Sequence, residues 1–243
     1  MDNPTLQTIR QHRSVRAFTD EPLRDAQVRV AVEAAQCAAT SSWIQAYSLL
    51  RVVDENERTE LRRLTGDQEK VKAAPGFFIV CGDARRHRLL MERDGSSMTT
   101  NFEGFLAAVV DASLFAQNLV LAFESMGLGT CLIGGLRNDM AAVAKLLEIP
   151  GGVFPLYGLC VGQPAEDPGV RPRLPFEAVC FTGRYPSDET MHAAMEQGDK
   201  ISEQYYVDRN EPTRTWSGGM IRRFSKTMRP ELPQVYRKLG ADI

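Results

Sequence analysis

Apolar residues along the chain form short unbroken runs between longer stretches in which they recur at helical spacing. The unbroken runs predict strands at 77–82 and 153–161, and the largely apolar segment 48–53 predicts another, with a further short segment at 130–133. A run in which every side chain is apolar is typical of a strand buried on both faces. Segments 77–82 and 153–161 therefore predict the centre of a sheet.

The helical stretches differ in how much of their circumference is apolar. The sequence predicts helices at 5–11, from the capping residues 19–23 to about 38, at 55–64, at 101–126 and from Asp139 to Leu147. Segment 101–126 is apolar all round, and such a helix must be buried on all sides. We therefore expect it to pack against a second subunit as well as the core. The strands are too few and too irregularly spaced for a doubly wound sheet, so the pattern favours an α+β sandwich with a small central sheet.

The last sixty residues change in character, with many charges and an aromatic group at Tyr205, Tyr206 and Trp216. A chain of 243 residues can form one large domain or two small ones. We expect one domain over 1–243, in which 183–243 is an extension that wraps the core or a partner's core.

Composition excludes several classes of function. The hydrophobic and charged fractions, 43% and 25%, are ordinary for a soluble globular protein, and the net charge of −2 argues against nucleic-acid binding. The sequence starts without the features of a signal peptide, and its longest apolar run contains Asp111, so we expect a cytoplasmic protein with no membrane partner.

The cysteines and histidines predict neither disulfides nor a metal site. The five cysteines are odd in number and widely spaced, which favours buried reduced thiols; they are Cys37, Cys81, Cys131, Cys160 and Cys180. The three histidines, His12, His87 and His192, lack metal-ligand spacing.

The candidate chemistry starts with the segment Gln11-His12-Arg13-Ser14-Val15-Arg16. Two guanidiniums and a hydroxyl within four residues suit a phosphate monoester, although a solvated basic turn is the simpler alternative. A second compact arginine pair, Arg171 and Arg173, is held extended by its neighbouring prolines.

Other known motifs do not fit. Gly127-Leu128-Gly129 follows a helix instead of a strand, which is the wrong context for a dinucleotide fingerprint. The sequence has no Walker A motif and no nucleophile elbow. A set of arginines, hydroxyls and glycines without an obvious nucleophile either binds a phosphorylated ligand passively or takes its reactivity from a cofactor.

Five motifs occur together in order over about 170 residues: His12-Arg13-Ser14-Val15-Arg16, Thr40-Ser41-Ser42, Thr65-Gly66-Asp67-Gln68, Gly127-Leu128-Gly129 with Leu132-Ile133-Gly134-Gly135-Leu136-Arg137, and Arg171-Pro172-Arg173-Leu174-Pro175. The set resembles the flavin-dependent nitroreductase superfamily, in particular its NADPH-preferring oxygen-insensitive nitroreductase and flavin reductase branch. The resemblance implies a nitroreductase-like fold, with a small, mostly antiparallel sheet flanked by helices, in an intertwined homodimer.

The resemblance also implies an FMN site. The residues implied to hold the ribityl phosphate and nearby atoms are His12, Arg13, Ser14 and Arg16. Those implied to contact the ring system are Ser41 at the cleft, Gln68 at the pyrimidine edge, and Ile133, Gly134 and Gly135 along one isoalloxazine face, with the Gly134 amide directed at N5. Glycine suits that face because a backbone without Cβ can approach a ring closely. Arg171 and Arg173 would complete the phosphate and flavin-edge contacts.

Arg209 and Arg214 match positions that would bind the 2′-phosphate of NADPH, although arginines in a polar tail are often only solvated. Trp43 and Tyr47 could line the cleft or pack internally.

The implied activity is ping-pong two-electron transfer with no catalytic residue of the protein, because the hydride is carried by N5 of FMN. Acceptors would be nitroaromatics, quinones or free flavins. Two alternatives are a flavin reductase whose main acceptor is FMN and a flavin-binding protein without turnover.

Overall fold

The computed structural model describes residues 3–99, 101–211 and 214–243, and the chain divides into two compact units. The first unit comprises Met1–Pro168 and Arg229–Ile243, and the second Gly169–Met228. Each unit has its own elements and its own internal packing.

The elements follow the predicted order closely in the first unit. Its helices are α1 (Pro4–Arg10), α2 (Asp25–Ala35), α3 (Glu55–Leu64), α4 (Glu69–Ala73), α5 (Arg85–Arg93), α6 (Phe102–Ser125), α7 (Met140–Leu146) and α10 (Leu232–Lys238). Its strands are β1 (Tyr47–Arg51), β2 (Gly76–Asp83), β3 (Gly129–Ile133) and β4 (Val153–Gly162). Two 3-10 turns, Ser41–Trp43 and Gly134–Asp139, complete the unit.

The four strands form one sheet in the order β1-β2-β4-β3, and every neighbouring pair is antiparallel. All eight residues of β2 are buried, as the unbroken apolar run predicts. Phe77, Phe78 and Ile79 are fully buried in the core beneath the helices. The predicted α+β class with a small antiparallel sheet is confirmed.

Helix α6 is the central helix of the unit and packs against α2, β1, β2 and β3. It is long and apolar enough to span a membrane by length and composition alone. Its buried side includes Phe115, Leu119 and Phe123, of which Phe115 stacks on Tyr47 of β1 and Phe123 lies beside Phe78 of β2. One side exposes the regularly spaced series Phe102, Leu106, Val110 and Leu114, and the expectation that a second subunit packs against this helix stays a prediction.

Two local predictions are wrong. Helix α2 begins only at Asp25, because Arg24, its N-cap, has an extended backbone and the buried Leu23 lies in the irregular segment before it. Cys37 and Cys180 are exposed, although all five thiols are free as expected. Burial raises the pKa of the Cys81 thiol to about 12, so this thiol stays protonated and unreactive at neutral pH.

The second unit contains a 3-10 turn (Phe176–Ala178) and the helices α8 (Asp188–Val207) and α9 (Trp216–Phe224). Two side chains of α8 cap the start of α9: Ser202 Oγ accepts from the Trp216 amide at 2.9 Å, and Asp199 Oδ1 accepts from the Ser217 amide at 2.8 Å. The single-domain organisation with 183–243 as a wrapping extension stays a prediction.

Candidate functional site

The basic segment 11–16 is held along strand β3. The Val15 amide donates to the Thr130 carbonyl at 2.9 Å, and Ser14 forms a parallel bridge with Thr130. Val15 is buried, and a Cβ on Gly129 would lie 2.9 Å from its side chain. Gly129 is therefore glycine so that the segment can approach the strand, and the segment is an ordered part of the core surface.

Two acidic residues that the sequence reasoning did not single out organise the arginines. Arg13 Nε lies 2.7 Å from Asp167 Oδ1. Glu166 Oε1 accepts from the backbone amides of Arg16 and Ala17 at 2.6 and 3.1 Å. A guanidinium has five N–H donors, so one ion pair leaves others available to bind an anion. Because these contacts hold the segment in place, a merely solvated basic turn does not describe it.

His12 is anchored from the other side by α6. Its Nδ1 lies 2.8 Å from Oε1 of Glu124, and the Thr130 hydroxyl donates to the same oxygen at 2.8 Å. The Glu124 side chain is only 12% exposed. No sequence motif indicated this contact, because its partners lie 112 residues apart.

Gln68 and Gly135 are brought into contact. The Gln68 side-chain amide donates to the Thr65 carbonyl at 2.7 Å. A Cβ on Gly135 would lie 2.4 Å from Gln68 Nε2 and 2.5 Å from the Thr65 oxygen. Gly135 is thus required by its protein neighbours, a reason independent of any ring. At Gly134 the nearest atom to a Cβ would be the Arg137 guanidinium at 3.4 Å, so this residue has more space.

Strand β3 joins the basic segment to the glycine pair. Thr130 contacts segment 14–15, and Ile133 ends the strand where Gly134 begins the 3-10 turn. Three residues of strand span about 10 Å. A molecule of cofactor size can therefore reach both features. The Ile133 side chain is buried, so its backbone, and not its side chain, is available to such a molecule.

Ser41 lies in a strained loop controlled by Asp111. The carboxylate of Asp111, fully buried in α6, accepts from the amides of Ser41 at 2.9 Å and Ala46 at 3.1 Å. Between these amides, Ser42, Trp43 and Gln45 all have positive φ, a costly conformation for residues other than glycine. In the sequence Asp111 was only an interruption of an apolar run.

The structure separates the roles of the two aromatic residues beside this loop. Tyr47 is buried and stacks on Phe115 at 4.5 Å between ring centroids, so it packs internally. Its burial raises the pKa of the phenol. Trp43 is 82% exposed and has no such role in the core.

The remaining predicted residues lie in the second unit. Arg173 Nη1 donates to the Arg171 carbonyl at 2.7 Å, which fixes the pair locally. The Arg209 guanidinium lies 3.7 Å from the centroid of the Tyr205 ring. Arg214 lies 4.7 Å from that of Tyr206 and forms an ion pair with Glu211. The contribution of these four arginines to a shared site stays a prediction.

Together, the antiparallel sheet, the clamped basic segment and the glycine turn define an α+β protein in which an ordered basic segment and a glycine turn lie along one strand. The nitroreductase family model matches residues 9–163, and the model of that family's C-terminal domain matches residues 171–243. The chain belongs to the nitroreductase family.

Relatives that match over nearly their full length support the NADPH-preferring nitroreductase and flavin reductase branch. The chain is 40% identical to the FMN reductase (NADPH) of Bacillus subtilis, over 98% of each chain. It is 39% identical to the oxygen-insensitive NADPH nitroreductase of Salmonella typhimurium, also over 98% of each. Its fold matches the NfrA1 nitroreductase structure from B. subtilis with a TM-score of 0.94 at 38% identity, over 98% of this chain and 99% of that one.

Proposed function

We propose that the protein is an FMN-dependent NADPH oxidoreductase that reduces small molecules by two-electron, ping-pong transfer. The observation that carries the proposal is the pairing, along one strand, of an ordered basic segment with the contact between Gln68 and Gly135. Relatives named FMN reductase (NADPH) and oxygen-insensitive NADPH nitroreductase support it.

The residues present fit FMN. Segment 12–16 offers an imidazole, two guanidiniums and a hydroxyl, donors that suit a dianionic phosphate. Arg13 keeps further N–H donors besides its ion pair with Asp167, and Arg16 is exposed. Gln68 can hydrogen-bond a heteroaromatic edge. A Cβ on Gly134 would meet no atom nearer than the Arg137 guanidinium at 3.4 Å, and a glycine backbone can approach a ring closely. Ser41, Arg171 and Arg173 are proposed to complete the site.

When bound, FMN would supply the redox chemistry, including hydride transfer at N5. The protein's residues bind and orient. The phosphate contacts fix one end of the cofactor, and the glycine turn positions the ring. A cation near the pyrimidine side, Arg16 or Arg173, would stabilise the negative charge of the reduced state. Protons would come from solvent, which explains why the predicted site has no dedicated acid or base.

Arg209 and Arg214 are proposed to bind the 2′-phosphate of NADPH. Their tyrosine partners support this role, because stacking on a ring holds the plane of each guanidinium in a defined orientation. The names of the full-length relatives specify NADPH.

Proposed acceptors are nitroaromatics, quinones and free flavins. The B. subtilis relative, an FMN reductase by name, favours free FMN as a second candidate for the main acceptor. Turnover with FMN, nitrofurazone and a quinone at matched NADPH concentration discriminates between these. A flavin-binding protein without turnover is the remaining alternative, and it requires that NADPH fails to bleach the bound flavin without oxygen.

We also propose an intertwined cytoplasmic homodimer. The exposed apolar series on α6 supports it, since four large side chains at regular spacing form a continuous apolar strip.

The visible spectrum of the purified protein, followed by anaerobic NADPH addition, tests the function. We expect the absorbance of an oxidised flavin and its loss on reduction. A colourless preparation that takes up no added FMN would overturn the proposal.

A further inference from the structure

The contact between His12 and Glu124 has no role in the function proposed above. A charged side chain from the long core helix reaches the basic segment, where the other acids, Glu166 and Asp167, contact backbone amides and a guanidinium. Glu124 instead contacts an imidazole, at a distance of 2.8 Å typical of a strong hydrogen bond. Its direct contact with the basic segment is therefore made through the histidine ring.

The geometry of Glu124 defines the state of that ring. Oε1 of Glu124 accepts from Thr130 Oγ1, a residue 1% exposed, and this second bond fixes the carboxylate. A carboxylate is acceptor-only, so Nδ1 of His12 must carry the proton between them. Neutral imidazole in water prefers the opposite tautomer, with its proton on Nε2. The structure thus selects the less favoured form and orients the ring plane.

The second carboxylate oxygen of Glu124 indicates that the contact between Glu124 and His12 does not serve the stability of the fold. Within the described residues, Oε2 is buried and accepts no hydrogen bond. It belongs to a side chain that lines, with Arg13 and Gln11, a small cavity of about 180 Å³. A buried carboxylate with one unsatisfied oxygen costs free energy. We therefore expect Glu124 to contribute by orienting the ring of His12.

We propose that Glu124 is a positioning residue for the flavin phosphate: by accepting from Nδ1 of His12, it fixes the ring so that Nε2 is presented to the phosphate. Once Nδ1 is committed, Nε2 donates to the phosphate only in the doubly protonated ring, whose positive charge Glu124 balances. The inference rests on the proposed FMN function for its phosphate, while the state of the ring is a property of the protein alone.

The first experiment therefore uses the FMN-free protein. With ¹⁵N-labelled histidine, the His12 signals are identified by their loss in His12→Gln. We expect Nδ1 to be protonated in the native protein and in Glu124→Gln, whose amide oxygen still accepts. In Glu124→Met, of similar size but without an acceptor, we expect the Nε2–H form. The proposal is contradicted if the His12 ¹⁵N signals in Glu124→Met are the same as in the native protein. It is also contradicted if Nδ1 loses its proton equally in Glu124→Gln and in Glu124→Met.

The second experiment measures the preference for phosphate, as the ratio of the dissociation constants of riboflavin and FMN. In Glu124→Met the neutral ring keeps an Nε2–H but loses the orientation and the charge balance that Glu124 provides. We therefore expect this ratio to fall about tenfold, the scale of one charge-assisted hydrogen bond. In a His12→Gln background the same substitution should leave the ratio unchanged, a result that a merely structural role would not give. The surface control Glu92→Met should match the native protein.

The outcomes separate the two proposals. If the native protein binds neither flavin, the proposed function fails, and the ¹⁵N experiment still tests the ring. If FMN binds and Glu124→Met leaves the ratio unchanged, the positioning role fails and the function stands. The positioning role also fails if Glu124→Met lowers the ratio equally in the native and His12→Gln backgrounds, because Glu124 would then not act through the ring.

Discussion

The two arginine-bearing regions proposed to bind phosphates are built differently. In segment 12–16 the backbone is clamped to a buried strand, and acidic side chains fix both arginine positions. In the second unit, Arg209 and Arg214 follow the end of α8 and are supported by the half-buried rings of Tyr205 and Tyr206. The first region is preorganised, and we expect the second to adapt to its ligand. Such a difference suits a cofactor that stays bound and a donor that must leave in each cycle.

The largest effect should come from the preorganised region. Arg13→Ala with Arg16→Ala removes two charge-assisted contacts, so we expect FMN affinity to fall at least about 100-fold. Flavin fluorescence quenching measures it. The exposed Arg29→Ala is the matched control for charge. An unchanged FMN affinity in the double variant would remove segment 12–16 from the site.

The glycines provide the next comparison. Gly135→Ala would place a methyl group 2.4 Å from Gln68 Nε2 and 2.5 Å from a backbone oxygen, so we expect a loss of about 2 kcal/mol in the free energy of unfolding. Gly219, inside α9, has open space around it, and Gly219→Ala should be neutral or stabilise by about 0.5–1 kcal/mol. Denaturant unfolding followed by circular dichroism tests both. Equal effects would show that the turn at Gly135 is as permissive as α9.

Arg209→Ala tests the adaptable region. We expect the KM for NADPH to rise about tenfold because one charge-assisted contact is lost. The KM for NADH, which lacks the 2′-phosphate, and the dissociation constant of FMN should stay within about twofold, a margin of roughly 0.4 kcal/mol. Steady-state kinetics with both donors measures the difference. A parallel rise for NADH would remove the assigned role.

The sequence predicted the elements whose signals are local. Helix α3 begins and ends at the predicted residues because Asp54 caps it by accepting from two amides, and Leu61 and Leu64 are buried at its C-terminal end. Strands β2 and β4 were recognisable as unbroken apolar runs. By contrast, α5 has a strongly basic sequence without a continuous apolar face, and its pattern predicted no helix.

The candidate site was predictable only where its signals are local in the sequence. Resemblance identified Gln68 and Gly135 as members of one site, and the structure brings them into contact. It could not identify Asp111 or Glu124, because each acts through a partner distant in sequence. An isolated carboxylate in an apolar helix was the one available signal. Its meaning depends on which loop amides or ring it meets after folding, and the local sequence does not contain that information.

The smallest expected effect sharpens the comparison between the two regions. Tyr205→Leu keeps an apolar neighbour for Arg209 but removes the aromatic face, a contact worth about 0.5–1 kcal/mol at an exposed site. If stacking orients the guanidinium, losing this energy should raise the KM for NADPH about two- to fivefold. The KM for NADH should stay unchanged. Combining it with Arg209→Ala should add nothing. An additive effect would mean that Tyr205 contacts the donor itself, so that the second region binds through a ring as well as through charge.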